Sequence, residues 1–446
     1  VTNLDTAQAH FVSRFADCEA RLAGSSPAWL APIRRAAIER FAELGFPTRK
    51  NEAWKYTSVA ELAKAALEPD IPEREGVSRD ELRARLGDAV SEECFVFEDG
   101  RFAPELSSTR GLPEGVEVEG LAVALDEHAD LLRPLLAPSD PVDRPFAALN
   151  AAFQRDGAFV RVAAGTTVAQ PIRLLFVATP AAAGRVANPR NVVRIDRGAK
   201  AAVMLRYASL CPDVYWTNAM TQIVLESNAE FDLIYVQSES DRAFHFSSTD
   251  IRQQRDSRFR SHQISLGGAL ARSEIYAHLD EPGVDCVLNG LFIVDGEQHV
   301  DNQTTVDHAS PHGTSRELYK GILGDRSRGV FNGSVLVRQD AQKTNARQFN
   351  PNLLISDDAQ INTKPTLEIC ADDVKCSHGS TVGRLDDDAL FYLRARGIDA
   401  RSARRMLTTA FASEIVSAIP QRPLREQIEE WVTTKLERAR AAMETA

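Results

Sequence analysis

The sequence predicts a mainly β chain built around a parallel β-helix, with a helical domain at each end. Three observations carry this. Turn-like residues near Gly198, Asn228, Asp256 and Asp285 recur at roughly 28 to 30 residues. Further along, Asp325, Asp340, Asp358 and Asp373 head short segments at about half that period. Helical apolar spacing is confined to the two ends of the chain. A single rung of such a helix cannot bury its inner face alone, so rungs must stack. The expected divisions are residues 1–155, helical and mixed; 156–384, the β-helix; and 385–446, helical. Two stacked antiparallel sheets are the competing reading of the central part.

In chain order, Phe11, Phe15, Cys18 and Leu22 recur at helical spacing. Ser26-Pro27 offers an N-cap with proline at the first helical position, and Trp29, Ile33, Ala37, Phe41 and Leu44 form the stripe that Gly45 and Pro47 end. The stretch 67–90, charged and broken by "EPDIPEREG", reads as a surface connection. "CFVFEDGRF" is strand-like, and "DEHADLLRPLL" returns to helix. From about residue 156 the pieces are β-rich, as in "NVVRIDRGAKAAVMLRYAS" and "TQIVLESNAEFDLIYVQS". The clearest ladder is "GDRSRGVFNGSVLV", "RQDAQKTNARQFNPNLLI", "SDDAQINTKPTLEI" and "ADDVKCSHGSTVG". After Asp386, Leu407, Phe411, Ile415 and Ile419 make one helical stripe and Leu424, Ile428, Trp431 and Val432 another, a hairpin too small to bury itself.

Composition narrows the function. A net charge of −11 disfavours nucleic acid as the main partner. No run of about 18 apolar residues exists to span a membrane. The amphipathic, acid-bearing start is unlike a signal or transit peptide, which points to the cytoplasm. Six cysteines at 18, 94, 211, 286, 370 and 376 include no CxxC, and Cys18, Cys94, Cys211 and Cys286 read as small buried hydrophobes. P-loop, GxGxxG, HExxH and GxSxG motifs are all missing. A β-helix carbohydrate enzyme would need aromatic platforms along a strand face, yet aromatics are 7% and the aspartates gather in turns.

One stretch carries metal-competent chemistry. In "DDVKCSHGSTVG" a strand would turn Cys376 and His378 to the same face and Ser377 to the other. A thiol and an imidazole can supply half of a soft-metal site, and only half. Cys370 lies at an even offset from Cys376, but "ADD" between them looks like a turn. His308 and His312 share a helical spacing that Pro311 and Gly313 argue against, so they read as a loop pair, solvated or hydrogen-bonded. His245, His262, His278 and His299 read as satisfied polar residues at rung edges. Asp386-Asp387-Asp388 most simply caps a helix.

"NEAWKYTSV", "HASPHGTSRELYKGIL" and "CSHGSTVGRLDDDALFYLRARGI", in that order, resemble the SufB/SufD family of iron-sulfur cluster assembly proteins. The resemblance runs from about residue 40 to the C-terminus and is densest over 308–398. It is closer to SufD: "CSHGST" stands where SufB-type chains carry an acidic-His-acidic motif, and the Glu52–Thr57 block follows the SufD pattern. The resemblance implies a right-handed parallel β-helix with helical flanks and a non-catalytic role. It also implies a SufB-like paralogue bound through the β-helix, and a SufC-like ABC ATPase bound through the C-terminal helices, residues 402–446. His378, together with Cys376, is then a candidate ligand for iron or a nascent iron-sulfur cluster held transiently at the subunit interface, with none tightly bound by the chain alone. A SufB-like homodimeric scaffold is the alternative.

Overall fold

The computed structural model describes residues 3–24, 26–69, 71, 76–87, 93–108, 111–137 and 144–445. From Ala158 onward the backbone winds as a solenoid of about eight turns, each rung giving one strand to each of two facing parallel sheets. Register fixes the geometry. Glu230 pairs with Arg258, Arg258 with Asp285, Asp285 with Thr314, Thr314 with Asn345 and Asn345 with Lys375 along what we term the first sheet, the other being the second. The expected half-period segments are therefore successive strands that alternate between the sheets. Parallel rather than antiparallel pairing holds throughout the solenoid.

The turn periodicity has a physical basis. Gly198, Asn228, Asp256, Gly283, His312 and Lys343 all take left-handed backbone, with φ between 55° and 78°. Glycine, asparagine and aspartate tolerate that region best. Each also donates its N–H to a carbonyl in the next rung's turn: Gly198 to Ser227, Asn228 to Arg255, Asp256 to Pro282, Gly283 to Pro311, His312 to Gln342, and Lys343 to Asp373. The third interval ends on Gly283 rather than Asp285, which instead begins the strand Asp285–Val294. Inside, Val193, Phe231, Ile251, Phe259, Leu288, Phe331 and Val335 are buried between the sheets. Full burial of such side chains stabilises by about 1.5–3 kcal/mol each.

Both ends of the chain pack on outer faces of the solenoid. Helices Asn3–Gly24 and Leu30–Leu44 bring Phe11, Phe15 and Phe41 together with Phe146, and this cluster covers Trp216, Phe244 and Phe246 of the second sheet. The second helix starts at Leu30, three residues after Pro27, which instead sits in the preceding turn as acceptor of the Leu30 N–H. The stretch 67–90 is not only a connection: Ser78 caps a helix over Arg79–Leu86 that buries Leu82. Strands Phe95–Glu98 and Val116–Gly120 extend the first and second sheets at their N-terminal end. On the first sheet's outer face, Ile415, Val416, Leu424, Ile428 and Val432 of helices Ala400–Ser417 and Arg422–Thr445, with Ile419 between the helices, cover Ile234, Ile264, Leu291 and Ile322. Trp431 stacks on the Arg206 guanidinium at 3.9 Å, and the Lys435 ammonium meets Asp295 at 2.7 Å.

Candidate functional site

The C-terminal end of the solenoid is open. Strands Gln360–Ile369 and Lys375–Gly383 form the last rung, and each is hydrogen-bonded to a neighbouring strand on one side only. Their free edges leave Ile369 43% and Val382 49% exposed. Pro365 lies within the first of these strands, where its missing N–H is tolerated because that strand is an edge. Pro351 sits one strand inward, where pairing between Thr314–Leu323 and Asn345–Leu354 lapses between Phe349 and Asn352. Lys375–Gly383 contains no proline, so its outward N–H groups are all available to another strand.

Cys376 and His378 lie on this last strand. Cys376 pairs with buried Ala346 and packs, half-buried, against the solenoid core. Alternation places His378 on the same face, in register with Gln348. His378 is exposed and has no hydrogen-bond or ion-pair partner among the described residues. Burial pushes the Cys376 thiol up, with a bond to the Ala346 backbone opposing, so the sulfur is held as a thiol rather than as a preformed thiolate. One rung deeper, Gln348 donates to the buried Glu317 carboxylate at 2.5 Å. The open rung thus presents a thiol and an unpartnered imidazole side by side, with no further ligand from the same strand.

The other sequence candidates are dispersed. Cys370 is exposed just beyond Ile369, the end of its strand, and residues 371–373 separate it from Cys376, which lies on a strand of the other sheet. Cys18, Cys94, Cys211 and Cys286 are all buried. His308 and His312 form no helix. His308 ends the strand His299–His308 and is buried rather than looped out; its Nε2 lies 2.8 Å from the Ser315 hydroxyl, and burial lowers it to about 4. His312 is the turn residue of its rung. His245 lies between the Tyr235 hydroxyl and Glu239, both buried. His262 departs from expectation: both ring nitrogens are buried without partners, and desolvation lowers it to about 4. Asp386 does cap the helix Asp387–Ala395, accepting from the Asp388 and Ala389 N–H groups.

Comparison with known proteins agrees with this architecture. Residues 176–411 match the family described as "SUF system FeS cluster assembly, SufBD core domain", and residues 5–174 match "SufBD protein N-terminal region". The chain belongs to the SufBD family. It is similar to the iron-sulfur cluster assembly protein SufD of Escherichia coli, at 33% identity over 89% of this chain and 91% of that one. It is also similar to an iron-sulfur cluster assembly SufBD family protein of Synechocystis, at 32% identity over 94% and 93%. SufD of Bacillus subtilis is more distant, at 24% over 90% and 93%. As a SufBD member the chain is an iron-sulfur cluster assembly protein.

Within that family context, the "EAWKYT" block has a structural task that the sequence alone did not reveal. Trp54 lies over the Arg272 guanidinium at 3.7 Å, and Arg272 also donates to the Ala53 carbonyl. The Thr57 hydroxyl reaches Asp301 at 2.5 Å and His299 at 3.0 Å, while Glu52 pairs with Lys364 of the last rung. The block pins the N-terminal helical region to the second sheet. A second feature that was missed is an aromatic surface on the C-terminal helices: Phe391 is 74% and Tyr392 56% exposed, with Met406 nearby in sequence also exposed. Both face solvent at positions where the helical stripe pattern gave no apolar role.

Proposed function

We propose that this chain is the SufD-like, non-catalytic subunit of a SufBCD-type complex. It pairs with a SufB-like paralogue through the open end of its β-helix and helps acquire iron and assemble a nascent cluster there. The observation that carries the reading is the last rung: an unsealed parallel sheet edge, bordered by exposed Ile369 and Val382, that presents Cys376 and His378 on one face. Long exposed edges invite strand addition unless they are blocked. A half-site of one thiol and one imidazole needs further ligands, and a paralogue laid against this edge supplies them; the cluster is cargo of the complex. The exposed Phe391 and Tyr392 support binding of a SufC-like ABC ATPase at the C-terminal helices. The edge would also accept a second copy of this chain, and a homodimer in the absence of partners is the reading that this allows.

The test is co-expression with SufB-like and SufC-like chains. The parent should be recovered as a three-component complex that forms clusters on anaerobic reconstitution. His378→Ala should leave the complex intact and the melting temperature nearly unchanged, because substituting an exposed residue costs within about 0.5 kcal/mol. It should nevertheless lower cluster yield strongly, and Cys376→Ala should lower it less. Normal cluster yield from the His378→Ala complex, at matched complex concentration, would remove the ligand role.

A further inference from the structure

At the far end of the molecule, the strand Val116–Gly120 runs through Gly120 directly into the helix Leu121–Glu127. Glu117 and Glu119 alternate onto one face of that strand, and Glu127 and His128 end the helix. The chain reversal brings the two ends together. His128 Nε2 lies 3.3 Å from a Glu117 oxygen and 3.6 Å from Glu119 Oε1. One ligand atom each from Glu119, Glu127 and His128 lies within 4.8 Å of the others, the one such group of histidine, cysteine or carboxylate ligands among the described residues.

Surface carboxylates often cluster without purpose, and three features separate this group from that case. It is a mixed set, an imidazole nitrogen among carboxylate oxygens, which is the donor chemistry of transition-metal sites. The imidazole is oriented by packing: its ring stacks on fully buried Phe159 with centroids 4.9 Å apart. Glu119 Oε1 is buried and has no hydrogen-bond partner, an uncompensated acceptor facing His128. The Arg161 guanidinium stands 3.7 Å from Glu117 and is shared with Asp196 at 3.2 Å.

We propose that Glu119, Glu127 and His128, with Glu117 beside them, form a binding site for a divalent first-row transition ion such as Zn²⁺, which clips the end of the helix Leu121–Glu127 to the strand Val116–Gly120. The site is separate from the cluster-assembly edge. Val116–Gly120 and Gln360–Ile369 are opposite end strands of one sheet. Eight strand spacings of about 4.8 Å put them about 38 Å apart. Binding uses neutral His128 and ionised carboxylates, so any proton on the imidazole is released to solvent as the ion enters.

The experiment uses the full chain carrying Cys370→Ser, Cys376→Ser and His378→Ala, which silences the ligands of the open rung. Zn²⁺ is titrated calorimetrically, and Co²⁺ is followed by its visible d–d bands. This parent should take up one equivalent of Zn²⁺, show a Co²⁺ spectrum of mixed nitrogen and oxygen ligation, and melt at a higher temperature with Zn²⁺ than without. Glu127→Gln alters an exposed side chain at a helix end, so its fold is safe; it should weaken binding about tenfold or more. His128→Ala should abolish the Co²⁺ spectrum. No uptake of either ion by the parent would overturn the site, as would equal affinity in parent and Glu127→Gln. Either result would leave His128 as a packing and polar contact of Glu117 and Glu119 only.

Discussion

Glu317 shows how single residues inside the solenoid shape its behaviour. It is buried on the inner face of the strand Thr314–Leu323, and desolvation raises it from 4.5 to about 7, against opposing hydrogen bonds from Thr304 and Gln348. Gln348 can reach it because Gly333 opposite lacks a side chain; a Cβ there would stand 1.9 Å from Gln348 Nε2. A carboxyl whose folded pKa is raised holds its proton more firmly folded than unfolded. Its contribution is therefore fully favourable below about pH 4.5 and is lost progressively up to about pH 7. The shift amounts to a penalty on the order of 3 kcal/mol at high pH. Glu317→Gln keeps the shape and a hydrogen-bonding amide but removes the ionisation. Relative to the parent, the variant should gain stability as pH rises through this window, read as the difference in melting temperature between mildly acidic and mildly alkaline buffer. A constant difference across pH would mean that Glu317 is not held neutral by its burial. None of this was legible in the sequence, where one glutamate in "TSRELYKGIL" looks like any solvent-facing strand residue. Only the register, with Cys286 and Tyr319 turned inward around it, puts Glu317 inside.

Elements were more legible than single residues, for reasons that differ along the chain. The left-handed turns of the solenoid announce themselves through glycine, asparagine and aspartate because few other residues take that backbone cheaply, and the spacing of those turns revealed the rungs. Where His312 and Lys343 occupy the same position, the signal vanishes although the turn persists. Strand alternation correctly set Cys376 and His378 on one face, but whether that strand was internal or terminal depended on the number of rungs, which local pattern does not encode. The C-terminal hairpin was visible as two apolar stripes, and its docking on Ile234, Ile264, Leu291 and Ile322 explains why both stripes were needed. That docking also shapes how its partner role should be tested. Removing residues 402–446 would uncover the apolar outer face of the first sheet, so loss of ATPase binding would be confounded by loss of stability. Phe391 and Tyr392 avoid the difficulty because their side chains already face water. Phe391→Asp with Tyr392→Ser should leave the melting temperature within a few degrees of the parent while reducing capture of a SufC-like ATPase by about tenfold or more, as expected when aromatic anchors are lost from an interface. Undiminished capture would remove Phe391 and Tyr392 from the ATPase site and leave residues 402–446 as its place.

At the scale of the whole molecule, the two ends of the solenoid are built differently. The N-terminal end is sealed: the hairpin of Phe95–Glu98 with Arg101–Phe102 and the antiparallel strand Val116–Gly120 close both sheets, and helices pack beside them. The C-terminal end has no such cap among the described residues. Its last strands keep hydrophobic Ile369 and Val382 in water, although Lys364, Pro365, Glu368 and Lys375 guard other positions of the edge. An uncapped solenoid is prone to open-ended self-association, which the proposed paralogue would prevent by covering this end. Val382→Lys tests this near the C-terminal end of the exposed strand Lys375–Gly383. Lysine on a solvent-facing strand position alters folding stability by within about 0.5 kcal/mol, yet it places a charge that an added strand must desolvate. The substituted chain should remain folded, with the parent's circular dichroism and melting temperature, and should no longer co-purify with a SufB-like paralogue. It should also run as a monomer at concentrations where the parent self-associates. Ile369→Lys, on the neighbouring strand of the other sheet, should act in the same direction. Equal recovery of the paralogue with both variants would show that the open rung is not the joining surface, and Cys376 and His378 would then have no second set of ligands to meet.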